Sequence, residues 1–177
     1  MIDFKLFQFA SLPRTGVGWF LRATEAIGLK RSERREAFSE FTNLEDDDAY
    51  RISLVRHPCS WLLSCYKSIE AKDADHLMLS LNTLPHETFE EFVRAYLQQL
   101  SGAYGMWMNM YKANSYLRIE DVPHTFEESM LMLNISYAMA QRCRGVAKLN
   151  ISHSWNPTLH RLVMESEKEL CETFDYY

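Results

Sequence analysis

Two short stretches set cations where an anion could be held. The first, residues 12–18 (LPRTGVG), places Arg14 and Thr15 ahead of Gly16, Val17 and Gly18, between an apolar run and a segment of helical character. A loop between strand and helix aims unpaired backbone N–H groups at one point, and the helix dipole adds positive potential there. Glycine lets the backbone approach an anion with no Cβ in the way, while arginine adds a two-pronged donor and threonine a hydroxyl. The second stretch lies in residues 51–69 (RISLVRHPCSWLLSCYKSI), where Arg56 ends an apolar run and Ser64 follows eight residues later. A guanidinium and a hydroxyl so spaced would make a second phosphate cradle.

Both stretches need a strand before them and a helix after them. Residues 4–10 form an apolar run short enough for a buried strand, and residues 17–28 carry apolar side chains at helical spacing. Residues 51–55 read as a second buried strand. Pro58 then suits the first turn of a helix reaching about residue 71, because its missing N–H costs nothing there. Further on, residues 87–100 read as an amphipathic helix, 115–119 as a short strand, 123–132 as a helix and 157–174 as one amphipathic helix. Strands alternating with helices predict an α/β domain with a mostly parallel central sheet flanked by helices, whose ligands sit beyond the carboxyl ends of the strands.

The totals narrow the field. At 177 residues, 47% hydrophobic and 24% charged, the chain has the make-up of a single globular domain spanning 1–177. A net charge of -5 argues against a general nucleic-acid binder, so any polyanion must be held by a local positive site. The four cysteines, Cys59, Cys65, Cys143 and Cys171, show neither a C-x-x-C pair nor zinc spacing, and read as reduced structural thiols. The longest uncharged run, 95–111, is too polar to span a membrane, and nothing at the start resembles a signal peptide. A cytoplasmic location is expected. The signature Gly-x-x-x-x-Gly-Lys-Ser/Thr of nucleoside triphosphatases is absent.

Together the two stretches resemble the sulfotransferase family. LPRTGVGWFL is similar to its 5′-phosphosulfate loop, and LVRHPCSWLLSCY is similar to its 3′-phosphate motif of Arg, Pro and a later Ser. YLRIEDVPHTFEESM (116–130) resembles the Arg-Tyr-Glu-Asp-Leu segment of the family, and the last nineteen residues resemble its closing helix. The resemblance implies a P-loop-like three-layer fold. It also implies transfer of a sulfuryl group from 3′-phosphoadenosine 5′-phosphosulfate (PAPS) to a hydroxyl or amine of a small-molecule or glycan acceptor, with no metal. By this likeness Arg14 neutralises the bridging oxygen and the 5′-phosphate, Thr15, Gly16, Val17 and Gly18 cradle that phosphate, and Arg56 and Ser64 hold the 3′-phosphate. Trp19 stands where many members stack an aromatic on adenine; core packing is its other reading.

Two departures qualify the likeness. Val17 and Gly18 replace two threonines, and Arg14 replaces the commoner lysine, a fork in place of a point charge. No histidine lies between the two motifs to act as a base. Other members use a glutamate about two dozen residues after the loop glycine; Glu40, 24 residues after Gly16, is the first choice, with Glu36 and Glu33 next. His153 and His160, and the adjacent Glu120 and Asp121, read as structural. Residues 148–155 could form a loop over the cofactor, and Lys30, Arg31, Arg34 and Arg35 either favour an acidic acceptor or are solvated surface. Two competing readings remain: a P-loop phosphotransferase, and a degenerate relative that binds a nucleotide or a partner without chemistry.

Overall fold

Residues 2–9 fold back on themselves. β1 (Ile2–Phe4) and β2 (Phe7–Phe9) pair antiparallel, with Phe4 opposite Phe7. The single strand expected over residues 4–10 is therefore a hairpin. Leu6, at its turn, is 49% exposed, whereas Phe4, Phe7 and Phe9 are buried. An apolar residue at a turn masks the break, because the sequence there offers neither glycine nor asparagine.

The computed structural model describes residues 2–4, 6–30, 50–73, 79–147 and 153–177. Within these, the chain divides into two units: residues 1–55 with 110–149, and residues 56–109 with 150–177. In the first, β2 pairs in parallel with β3 (Arg51–Val55), and β3 in parallel with β4 (Ser115–Arg118). The sheet order is β1-β2-β3-β4, mixed α/β with three parallel strands and one antiparallel edge strand. A mostly parallel sheet was expected from the sequence, and these strands form it.

α1 (Val17–Ala26) and α6 (His124–Met132) pack on the sheet through aromatic rings. Phe20 of α1 stacks on Phe9 at 3.9 Å between ring centres and meets Phe126 of α6 edge-on at 5.5 Å. Ile52, Leu54 and Leu117 complete that core from β3 and β4. α1 stops because Gly28 adopts φ 77 and the following N–H of Leu29 turns back to Thr24 O, a glycine-based helix end.

α7 (Tyr137–Ala140) runs into a 3-10 turn (Gln141–Gly145), which is tied to α6 by one buried carboxylate. Glu127, 3% exposed, receives Arg144 Nε at 2.6 Å and the second guanidinium nitrogen at 2.7 Å. This fork holds the Glu127 carboxyl below the usual carboxylate range. A folded pKa below the unfolded one stabilises above the unfolded value and loses that stabilisation as pH falls through the folded value. The stability difference between the native protein and Glu127→Gln should therefore shrink on going from about pH 6 towards pH 3. Thermal unfolding across that range measures it; a gap constant with pH would refute the assignment.

The second unit is helical: α2 (Pro58–Glu70), α3 (Leu79–Asn82), α4 (Phe89–Gln99), α5 (Ala103–Met108), α8 (Pro157–Ser166) and α9 (Lys168–Thr173). Their starts follow local chemistry. His57 caps α2 with Pro58 in its first turn, Thr88 and Glu91 form a capping box on α4, and Asn156 caps α8 ahead of Pro157. The one helix expected over 157–174 is two, interrupted at Glu167, whose side chain turns into the protein at 2% exposure. Trp61, Tyr66, Phe92, Tyr96 and Leu159 are among the core residues of this unit. No helix among the described residues is long and apolar enough to cross a membrane.

Candidate functional site

The loop after β2 is braced from inside. Ser11 Oγ lies 2.6 Å from Thr15 Oγ1 and 3.2 Å from both the N and the O of Leu54 on β3. Thr15 Oγ1 donates to Leu12 O at 2.6 Å and is wholly buried. The Thr15 hydroxyl thus works within the loop, whose other polar groups are its main chain and the half-buried Arg14. Arg14 has φ 68 and Gly16 φ 115, both in the left-handed region, so the chain reverses sharply before α1.

Gly16 is required twice over. A Cβ on it would stand 2.4 Å from Ile119 Cδ1, and its φ disfavours any L side chain. Ile119 follows directly on β4 and seats the loop against the end of that strand. Gly16 O accepts the N–H groups of Trp19 and Phe20, and no side chain caps the helix. Nor does any acidic residue sit in the first turn of α1. An uncapped N-terminus without a carboxylate keeps its positive potential available to an anion. Gly18 is exposed, and a Cβ there would meet only Arg22 at 3.7 Å.

Trp19 is 5% exposed, its Nε1 donates to Val146 O at 3.2 Å, and it meets Phe126 edge-on. Its place is in the core of the first unit, where it tethers the segment after the 3-10 turn. Arg22 adds a second tether to Ala147 O. At the end of β4, Arg118 pairs with Asp121 at 2.9 Å, and Asp121 O accepts the N–H of His124. Asp121 shapes that turn, as the structural reading of the Glu120-Asp121 pair expects.

In the second unit, Arg56 and His57 join β3 to α2. The hydroxyl of Tyr104 donates to Arg56 O at 2.8 Å and accepts from Arg56 N at 3.0 Å. His57 Nδ1 accepts the N–H of Cys59, which fixes the ring as the cap of α2. Ser64, six residues past Pro58, is 8% exposed within α2.

Around His57 the rings gather. His160 lies 6.0 Å from it and Tyr176 5.2 Å, while Trp155 meets both His160 and Phe89, and His153 meets Phe89. His153 and His160 are thereby parts of an aromatic cluster, and no metal-binding group of three or more ligands occurs among the described residues.

All four cysteines are free and buried. Burial pushes the Cys59 thiol up to about 12 and those of Cys143 and Cys171 up to about 11, which removes them as nucleophiles at neutral pH.

Glu40, Glu36 and Glu33, together with Arg31, Arg34, Arg35 and residues 148–152, lie outside the described residues. Ser11, Ile119 and Tyr104 were not singled out in the sequence. Ile119 and Tyr104 act on loops far from them in sequence, and Ser11 reaches from its own loop to Leu54 on β3, separations that no local pattern signals.

No protein-family model matches the chain, and neither the curated proteins nor the solved structures contain a match to it.

Proposed function

We propose that the chain is a PAPS-dependent sulfotransferase with a P-loop-like three-layer fold. The observation that carries this reading is the loop of residues 11–18: internally braced, pinned at Gly16, and opening on a helix N-terminus with no cap and no acidic side chain. Such a loop fits a phosphate better than a divalent cation, because its donors are N–H groups and a guanidinium.

When bound, PAPS supplies the sulfuryl group. Arg14 and the amides of residues 15–18 orient the 5′ end and neutralise charge growing on the leaving oxygen; this stabilisation is fixed in place before reaction. Arg56 and Ser64 select for the 3′-phosphate. Glu40, or else Glu36 or Glu33, takes the proton of the acceptor hydroxyl or amine. The acceptor is a small molecule or a glycan.

A second reading has its own support. Thr15 spends its hydroxyl inside the loop, and Val17 and Gly18 have none, so the loop offers no side-chain hydroxyl to a phosphate. That favours a relative that binds the nucleotide without transfer. A phosphotransferase would need magnesium and ATP.

Ligand-induced thermal stabilisation separates the three. We expect 3′,5′-ADP to raise the melting temperature more than 5′-ADP or ATP with magnesium. Arg56→Ala should weaken 3′,5′-ADP binding about 10- to 100-fold, the range for lost hydrogen bonds to a charged group. An equal response to ATP with magnesium would sink the reading. Sulfate transfer to a panel of acceptors, abolished by Glu40→Gln, then separates catalysis from binding alone.

A further inference from the structure

We propose that Tyr104 is the positioning residue for Arg56, so that its hydroxyl sets selectivity for a 3′-phosphorylated nucleotide. The inference rests on the reading that Arg56 meets the 3′-phosphate. Two residues separate the end of β3 from Pro58, and their backbone groups need partners once the sheet ladder has ended. His57 O is taken by the N–H of Trp61 in α2. For Arg56 the N–H and the C=O both meet a side chain. Both go to one oxygen, Tyr104 Oη, at 3.0 and 2.8 Å.

One hydroxyl thus acts as acceptor and donor to the same residue. It fixes the peptide planes on either side of Arg56, and with them the direction in which the side chain leaves the backbone. The ring that carries the hydroxyl cannot easily swing away. It is wholly buried and stacks on Trp61 with centres 4.2 Å apart and planes 5° from parallel. The Tyr104 N–H is also held, by Tyr96 Oη at 3.1 Å.

A guanidinium grips a phosphate through a fork of fixed geometry, so a small error in its origin costs binding that a point charge would keep. Tyr104 therefore acts on the nucleotide through Arg56 and touches no phosphate itself.

The test is Tyr104→Phe, which keeps the Trp61 stack and deletes only the oxygen. Tyr96→Phe serves as the comparison, since it weakens the same helix without touching Arg56. The readouts are the ratio of 3′,5′-ADP to 5′-ADP affinity and the hydrogen-exchange rate of the Arg56 amide. Tyr104→Phe should lower the ratio about five- to tenfold and speed exchange at Arg56 about tenfold or more, amounts in keeping with two lost hydrogen bonds. Tyr96→Phe should lower the melting temperature and leave the ratio within about twofold, since Tyr104 keeps its contact with Arg56. If the two variants lower the ratio equally, selectivity follows stability and the inference is overturned. It is overturned alone if the native protein prefers 3′,5′-ADP and Tyr104→Phe keeps that preference. If the native protein shows no preference, the reading of Arg56 falls and takes this inference with it.

Discussion

Gly16→Ala is expected to destabilise the sheet-bearing unit by about 2–4 kcal/mol, the sum of a left-handed backbone penalty and an overpacking penalty. The first part arises because φ 115 brings a Cβ against its own backbone. The second arises because that Cβ would sit 2.4 Å from Ile119 Cδ1 and 2.7 Å from its Cγ1, side-chain atoms of a buried residue. The two parts separate in a double-mutant cycle. In an Ile119→Ala background the clash is gone, so Gly16→Ala should cost about 1 kcal/mol or more less than it does alone.

Gly18→Ala is the contrast. It lies inside α1 with only Arg22 at 3.7 Å, and alanine there should add about 0.5–1 kcal/mol. Urea unfolding of the four variants measures all of this. Equal stability of Gly16→Ala and Gly18→Ala would mean that the loop does not have this conformation.

Glu167→Gln is expected to cost about 2–4 kcal/mol, from buried donors left without an acceptor. The carboxylate accepts from Tyr96 Oη at 2.5 Å through one oxygen and from Gly105 N at 2.9 Å through the other. Glutamine keeps the volume and turns an NH2 towards one of those two donors.

The effect should also carry a distinctive pH dependence. Burial raises the Glu167 carboxyl above its ordinary range, outweighing the hydrogen bonds from Tyr96 and the backbone of α5, which lower it. A raised folded pKa gives a contribution that is complete below the unfolded value and lost as pH rises through the folded one. The gap between native and Glu167→Gln should thus be widest in acid and narrow towards neutrality, opposite in sign to Glu127→Gln. A gap that widened with rising pH would show that the carboxylate is better solvated than its surroundings imply.

The fold was legible where a local rule sets an element. β3 falls on residues 51–55 as expected, since RISLV is a short apolar run. α2 starts at Pro58, as the proline marks. Legibility failed where distant groups decide. The amphipathic period of residues 157–174 continues through Glu167, and only the partners waiting on α4 and α5 make the helix break there. α5 itself, AYGMWM, has no apolar period to find.

The candidate site divides in the same way. Arg14, Gly16 and Arg56 stand out because loop chemistry is read from neighbours in sequence. Trp19 did not resolve, because an indole suits a core and a nucleotide base equally; the core claims it here. Ile119 explains why Gly16 must be glycine, yet lies more than a hundred residues away.

The chain passes between its two units at 55–56, 109–110 and 149–150. No contiguous fragment therefore corresponds to either of them. A piece ending at 109 contains β3 but lacks β4, whose Ser115 pairs with Ile52. During synthesis the sheet must wait for all of α2, α3, α4 and α5 before its last parallel strand leaves the ribosome. Pairings so distant in sequence form slowly. Until β4 arrives, Ile119 is missing as well, and the loop at Gly16 is held by Leu54 of β3 without its seat at the end of β4.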